Sequence, residues 1–226
     1  MAIEPSRAHT ASAELSECEE LCLFYTPGSW SRVVMIVLEE SGAQYRTRRV
    51  VDNDEEQYPP AFLLAHPKVA VPALKTSVGI LTESAAIIAF LAGRYPKAGI
   101  LPSDGGGNRS RALADVEWFA STLRPLLALS FYPERFCDKA DAAPRIRALT
   151  AYKLATQMDV AEQRLARAEW FDGRTWSAAD ACLYWCWGRG LGEGLAPSRY
   201  PHVAAHHTRM RQRDSVQRAQ QRELYG

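Results

Sequence analysis

The sequence predicts a mixed α/β unit followed by an all-helical one. Three observations carry this. Between Leu21 and Tyr95, apolar runs of strand length alternate with stretches of helical period. From Pro96 to Asn108 the chain gathers Pro96, Gly99, Pro102 and Gly105-Gly106-Gly107, the density of breakers expected of a linker. Beyond Asn108 the apolar spacing is helical only. The expected division is therefore 1–20 as a loose extension, 21–95 as the α/β unit, 96–108 as the linker and 109–226 as the helical unit.

In order, Leu21 to Tyr25 reads as a short buried strand, broken by Thr26-Pro27-Gly28. Ser29 to Glu40 carries apolar residues from Val33 to Leu38 before Gly42 and predicts a helix. Tyr45 to Val51 is a second strand, and a short helix is expected over Ala61 to Ala65. Val71 to Lys75 and Val78 to Leu81, separated by Thr76-Ser77, predict a hairpin, and Glu83 to Tyr95 an apolar helix. In the second unit, helices are expected over Arg109 to Leu129, Pro144 to Glu169, Ser177 to Arg189 and around Val203 to Arg213. The Arg-rich tail from Arg209 to Arg222, interrupted by Asp214, reads as a solvated helix face rather than a nucleic-acid patch.

The 226 residues are 47% apolar and 23% charged with a formal net charge of +1, which excludes a disordered chain and supplies no general basic field for nucleic acid. The longest purely apolar run, Ala85 to Ala92, is far short of the roughly 18 residues a membrane span needs. Residues 1–20 hold five glutamates and no signal-peptide core, so the expected address is the cytoplasm. Five cysteines, an odd count, are expected as free thiols there. Cys18 with Cys22 and Cys182 with Cys186 sit four apart, but without a C-x-x-C pair they read as small buried side chains rather than zinc ligands.

Three segments hold residue types suited to chemistry. Phe24-Tyr25-Thr26-Pro27-Gly28-Ser29-Trp30-Ser31-Arg32 is a strand end, a tight turn and a helix start, where unpaired N–H groups and the positive dipole end favour an anion such as a thiolate. Val69-Ala70-Val71-Pro72-Ala73-Leu74 sets a proline between a loop and the hairpin. Thr82-Glu83-Ser84 opens a helix; Ser84 can offer its N–H and hydroxyl to a carboxylate while Glu83 answers an ammonium, the two charges of an α-amino acid head. Trp176-Ser177-Ala178-Ala179-Asp180 is a capping box with folding rather than chemical value.

In this order the segments resemble the cytosolic glutathione transferase superfamily, in its bacterial serine-type or beta-like members, over about residues 21 to 215. The resemblance implies a thioredoxin-like, glutathione-binding first domain and an all-α helical bundle. It implies a homodimeric enzyme that stabilises the glutathione thiolate and conjugates it to a hydrophobic electrophile, with glutathione as co-substrate, no permanently bound cofactor and no metal, nucleic acid or membrane partner. It assigns thiol activation to Ser29, with Ser31 in reserve. It makes Pro72 a cis proline whose neighbour Val71 pairs with the glutathione backbone, and gives the γ-glutamyl end to Glu83 and Ser84.

Where related enzymes carry a Gln or His for the glycyl carboxylate, this chain has Val69 and Ala70, and Lys68 or His66 is the substitute. Trp30 replaces the cysteine of beta-class members. The electrophile pocket is expected among Trp30, Trp118, Phe119, Phe131 and Tyr132, and dimer contacts on the helix bearing Arg111, Asp115 and Glu117. Two other readings remain: a non-catalytic dimeric scaffold of the same fold, and a disulfide oxidoreductase, which the lack of cysteine between Thr26 and Arg32 disfavours.

Overall fold

The computed structural model describes residues 21–50, 63, 66, 68–103, 107–139, 141–193 and 195–225. The extension over residues 1–20 and most of the short helix expected over 61–65 lie outside these residues. β1 (Leu21–Tyr25) runs parallel to β2 (Tyr45–Arg49) and antiparallel to β3 (Ala73–Thr76), which turns back into β4 (Gly79–Thr82), giving the sheet order β2-β1-β3-β4. Leu23, opposite Thr47 on one side and Leu74 on the other, is fully buried. β2 is an edge strand that ends two residues earlier than expected. Its exposed Arg46, Arg48 and Arg49 are charges of the kind that keep an edge from pairing with another chain.

α1 (Ser31–Ser41) starts two residues later than the apolar period suggests, because Ser29 and Trp30 are spent in the turn that precedes it. It stops at Gly42, whose φ of 66° is the left-handed geometry a glycine meets without strain. Val33 to Leu38 are all buried. One amphipathic face would not explain six consecutive buried residues; α1 packs on the sheet, on α2 (Ser84–Arg94) and on two helices of the second unit.

The second unit contains α3 (Gly107–Trp118), a π-helical segment (Phe119–Leu123), α4 (Arg124–Phe131), α5 (Ala142–Leu165), α6 (Ala178–Gly190), α7 (Pro201–Arg211) and α8 (Asp214–Tyr225). The single helix expected over 109–129 is thus interrupted. Pro125 has no N–H for an α-helical bond, and its ring would crowd the carbonyl four residues back; the wider turns of the π segment precede it directly. α6 is the central post, with Ala178 to Trp187 all buried. Its capping box is formed as expected, and the buried Asp180 also accepts from the Phe171 N–H at 2.8 Å and meets His206 Nε2 at 2.8 Å.

The Arg-rich tail is exposed at Arg211, Arg218 and Arg222, as a solvated face should be, but it is not left to solvent alone. α8 buries Val216 and Ala219 against α1. Arg213 reaches Glu40 at 2.6 Å, while Arg218 and Arg222 converge on Glu39 at 2.8 and 2.6 Å. The arginines answer two carboxylates far away in sequence, which local charge patterning cannot show. Burial pushes the Glu39 carboxyl up, but the hydrogen bonds from Tyr45, Arg218 and Arg222 outweigh it and hold its pKa below the ordinary range.

A lowered folded-state pKa makes this stabilisation complete above the ordinary glutamate value of about 4.3, and lost as pH falls through the lower folded value. Glu39→Gln is expected to cost roughly 1–2 kcal/mol at neutral pH, the half-exposed arginines keeping the effect at the low end for charged hydrogen bonds. The acid side of the stability profile should flatten as well. Denaturant unfolding across about pH 3 to 7 measures both.

Candidate functional site

The turn from Thr26 to Ser31 is held from three directions. Thr26 Oγ1 donates to the Val50 carbonyl at 2.8 Å, tying the turn to the end of β2. Gly28, at φ 74°, donates its N–H to Glu223 Oε1 of α8 at 2.7 Å, and its carbonyl accepts from Trp185 Nε1 of α6 at 3.2 Å. Glu223 Oε2 also takes the Arg32 guanidinium. Ser29 Oγ accepts the Ser31 N–H at 3.2 Å and lies 2.9 Å from Ser31 Oγ, so the two hydroxyls form one chain at the first turn of α1. Ser31 is fully buried and Ser29 half-buried.

A first cleft, of about 290 Å³, opens beside this turn. One wall is Val71, Pro72, Glu83 and Ser84, and the Val71–Pro72 bond is cis, as expected. Glu83 is a non-glycine residue at φ 63°, a conformation found where a site over-determines its backbone. Its carboxylate is paired with Lys68 at 2.8 Å, which holds its pKa below the ordinary range. Lys68 is therefore placed at Glu83 rather than at a separate position, and it also reaches Thr82 Oγ1 at 3.3 Å. His66, nearly buried, has its Nε2 2.8 Å from the Ala70 carbonyl oxygen and 3.1 Å from the Ala70 N. Ser84 Oγ accepts from Trp30 Nε1 at 2.9 Å, which leaves the Ser84 hydroxyl proton for another acceptor. The far wall comes from α3, the π segment and α4, through Glu117, Ser121 and Arg124.

A second cleft, of about 340 Å³, lies on the other side of Trp30. Ser29 faces it, together with Phe131 and Tyr132 of α4 and its end, Trp185 of α6, and Arg124, Arg135 and Arg189. Trp30 and Arg124 border both clefts, so the two meet there. Trp30 stands edge-on to Trp185, ring centres 5.0 Å apart.

Of the aromatic residues expected at an electrophile pocket, Trp30, Phe131 and Tyr132 come together. Trp118 does not: at the end of α3, its indole donates to Gln157 of α5 at 2.8 Å and stacks on Phe171, and Phe119 is fully buried in the core. Asp115 pairs with Arg164 of the same chain at 2.7 Å. Cys182 and Cys186 are buried and unlinked, with burial raising both thiol pKa values, and no cluster of potential metal ligands occurs among the described residues. Sequence reading missed Glu223, Trp185 and the three arginines. Only the lone acid near the end of a basic helix hinted at the first of these.

The glutathione S-transferase N-terminal domain family model matches residues 28–94. Glutathione S-transferase GstA of Escherichia coli O157:H7 is 28% identical over 209 residues, spanning 87% of this chain and 96% of that protein. The disulfide-bond oxidoreductase YfcG of Escherichia coli K12 is 28% identical over 211 residues, 87% of this chain and 93% of that one. The solved structure of a sphingomonad glutathione S-transferase complexed with glutathione superposes with a TM-score of 0.78 at 27% identity, over 91% of this chain and 100% of that one.

The turn's dependence on α8 is testable. Glu223→Gln keeps an acceptor for Gly28 but removes the charge opposite Arg32, and is expected to cost roughly 1–3 kcal/mol. Amide exchange in a peptide covering Thr26 to Ser31 should accelerate more than exchange in β1. Equal acceleration in both would mean that Glu223 supports the whole fold rather than the turn.

Proposed function

The chain belongs to the glutathione transferase superfamily, and from that premise we propose that it binds glutathione in the first cleft and stabilises its thiolate at Ser29. The thiolate then attacks an electrophile held in the second cleft. The observation that carries this is the junction at Trp30: the cleft bearing Val71, Glu83 and Ser84 meets the cleft faced by Ser29 and the aromatic residues. A γ-glutamyl head would put its carboxylate at the N-terminus of α2, on the Ser84 N–H and hydroxyl, and its ammonium near Glu83 and Glu117. The cysteinyl backbone would lie along Val71, bringing the sulfur toward Ser29. Lys68, already neutralising Glu83, is a weaker claimant for the glycyl carboxylate.

The energetics are adequate. Lowering a thiol pKa by two units takes about 2.7 kcal/mol. One hydrogen bond to a charged sulfur supplies roughly 1.5–3 kcal/mol, and the N-terminus of α1 up to about 1 kcal/mol more. Ser29 is favoured over Ser31 because Ser31 is shut away behind it. Ser29 donates its hydroxyl to Ser31 Oγ at 2.9 Å, and swinging that proton from Ser31 to the sulfur would give the thiolate its donor. In conjugation the sulfur bonds to the electrophilic carbon, and the leaving group departs with the bonding pair. A homodimer in the cytoplasm fits this reading. No helix among the described residues is long and apolar enough to cross a membrane.

A second reading is favoured by the similarity to a protein named as a disulfide-bond oxidoreductase. The same thiolate would attack a disulfide sulfur, expel the partner thiolate and leave a mixed disulfide that a second glutathione resolves. Calorimetric titration with glutathione comes first, since a scaffold would give no heat. Parallel assays with a neutral nitroaryl halide and a small dialkyl disulfide then separate the two chemistries.

Two substitutions test the roles. Ser84→Ala is expected to weaken glutathione binding by about 1–3 kcal/mol, by removing a hydrogen bond to a carboxylate. Ser29→Ala should leave the affinity for an S-alkylated glutathione nearly unchanged but raise the bound-thiol pKa by about one to two units. The pH profile of kcat/KM should then shift alkaline, with the rate near pH 7 lower by about one to two decades. Ser31→Ala, which removes only the support, should shift it less; the opposite order would move the activating role to Ser31.

A further inference from the structure

The second cleft is aromatic, as a pocket for a hydrophobic electrophile should be, but it is also cationic. Arg124, Arg135 and Arg189 line it, and no carboxylate does so among the described residues. None of the three guanidiniums joins an ion pair with the described residues. Arg189 stacks over Phe131 with 4.4 Å from guanidinium carbon to ring centre, and Arg135 over Tyr132 at 4.3 Å. Stacking occupies the faces of a guanidinium and leaves its edge of N–H donors free, the arrangement in which arginine grips a planar anion. Arg189 Nε is shut off from solvent with no hydrogen-bond partner, although it belongs to a charged group for which such isolation is costly. The carboxylate nearest in sequence beyond it, Glu193, is engaged by Ser130 Oγ instead.

Resting on the reading of this cleft as the electrophile's site, we propose that the electrophile is an aromatic or conjugated acid. Its planar body lies among Trp30, Phe131 and Trp185, and its carboxylate, or an anion of like geometry, meets the edges of Arg189 and Arg135. Arg124, on the border with the first cleft, faces both this acid and the γ-glutamyl carboxylate. A neutral hydrophobic molecule would leave Arg189 and Arg135 unanswered, so charge is what selects the substrate.

The test uses an unreactive pair, 3,5-dinitrobenzoate and its methyl ester, which share a ring and differ in charge. Each is titrated calorimetrically into the full chain, with and without saturating S-methylglutathione. The acid is expected to bind at least about tenfold tighter than the ester. Arg189→Gln and Arg135→Gln should each lose about three- to thirtyfold in affinity for the acid and change that for the ester by less than about twofold. Arg145→Gln, the same change of charge at an exposed residue of α5, should alter neither. Arg189→Lys, with its melting temperature recorded, separates loss of the fork from loss of folding. An ester that binds as well as the acid, an acid that survives both substitutions, or a failure of both probes to bind overturns the proposal. These outcomes are independent of the glutathione titration: normal glutathione binding with no preference for the acid removes the anion and leaves the transferase reading standing, whereas an acid preference without glutathione binding does the reverse.

Discussion

One buried carboxylate holds the site together. Glu223, its side chain only 4% exposed, receives the Gly28 N–H with one oxygen and the Arg32 guanidinium with the other. A carboxylate withdrawn from water is tolerated only where charge and hydrogen bonds replace its solvent. Here the replacements come from the turn before α1 and from the first turn of α1 itself, while the carboxylate comes from α8. The catalytic candidates Ser29 and Ser31 therefore owe their placement to a residue nearly two hundred positions away. The α/β unit on its own would present the same turn without its anchor.

Trp185 completes the restraint from the other side. α6 is a rigid support because Asp180, within its own first turn, closes the capping box and at the same time binds the Phe171 N–H and His206. From this post Trp185 reaches the Gly28 carbonyl. Both polar groups of one glycine are thus fixed by helices of the second unit, and the hydroxyl pair that follows cannot drift. The ion pairs of Glu39 and Glu40 with Arg213, Arg218 and Arg222 fasten the same two units along a second line.

What could be read from the sequence was what short-range physics decides. β1, the hairpin, the Gly42 stop and the Ser177 to Asp180 capping box each depend on neighbours a few residues apart, and all of them appear. So does the cis bond at Pro72, which came from resemblance rather than spacing. The misses share a different cause. The start of α1 depends on how Ser29 is used in the turn. The π segment at Phe119–Leu123 is not marked by the apolar spacing, which reads as one helix across it. The arginines of α8 are exposed as their pattern suggests, but their ion pairs were not legible because the carboxylates lie on α1. The cation-lined cleft is assembled from α4, the segment after it and α6, and no single window of sequence contains it.

The π segment also bears on how this site tolerates insertions and deletions. A π turn accommodates one more residue than the α-helix around it, and each residue in a helix turns the chain by about 100° and advances it by about 1.5 Å. Removing one residue between Phe119 and Leu123 would join α3 and α4 as one helix, with Pro125 lacking its hydrogen bond and kinking the chain against the carbonyl four residues back. Every side chain after it would then rotate by more than a quarter turn relative to α3. Arg124 would leave the border of the two clefts, and Phe131 and Tyr132 would leave the second. The pocket's composition is thus tied to a count of residues as well as to their kinds. A lineage that lost this one codon would keep its helices but would have to repack the buried Leu127 and Ser130 of α4, while presenting a different set of side chains to the second cleft in a single step.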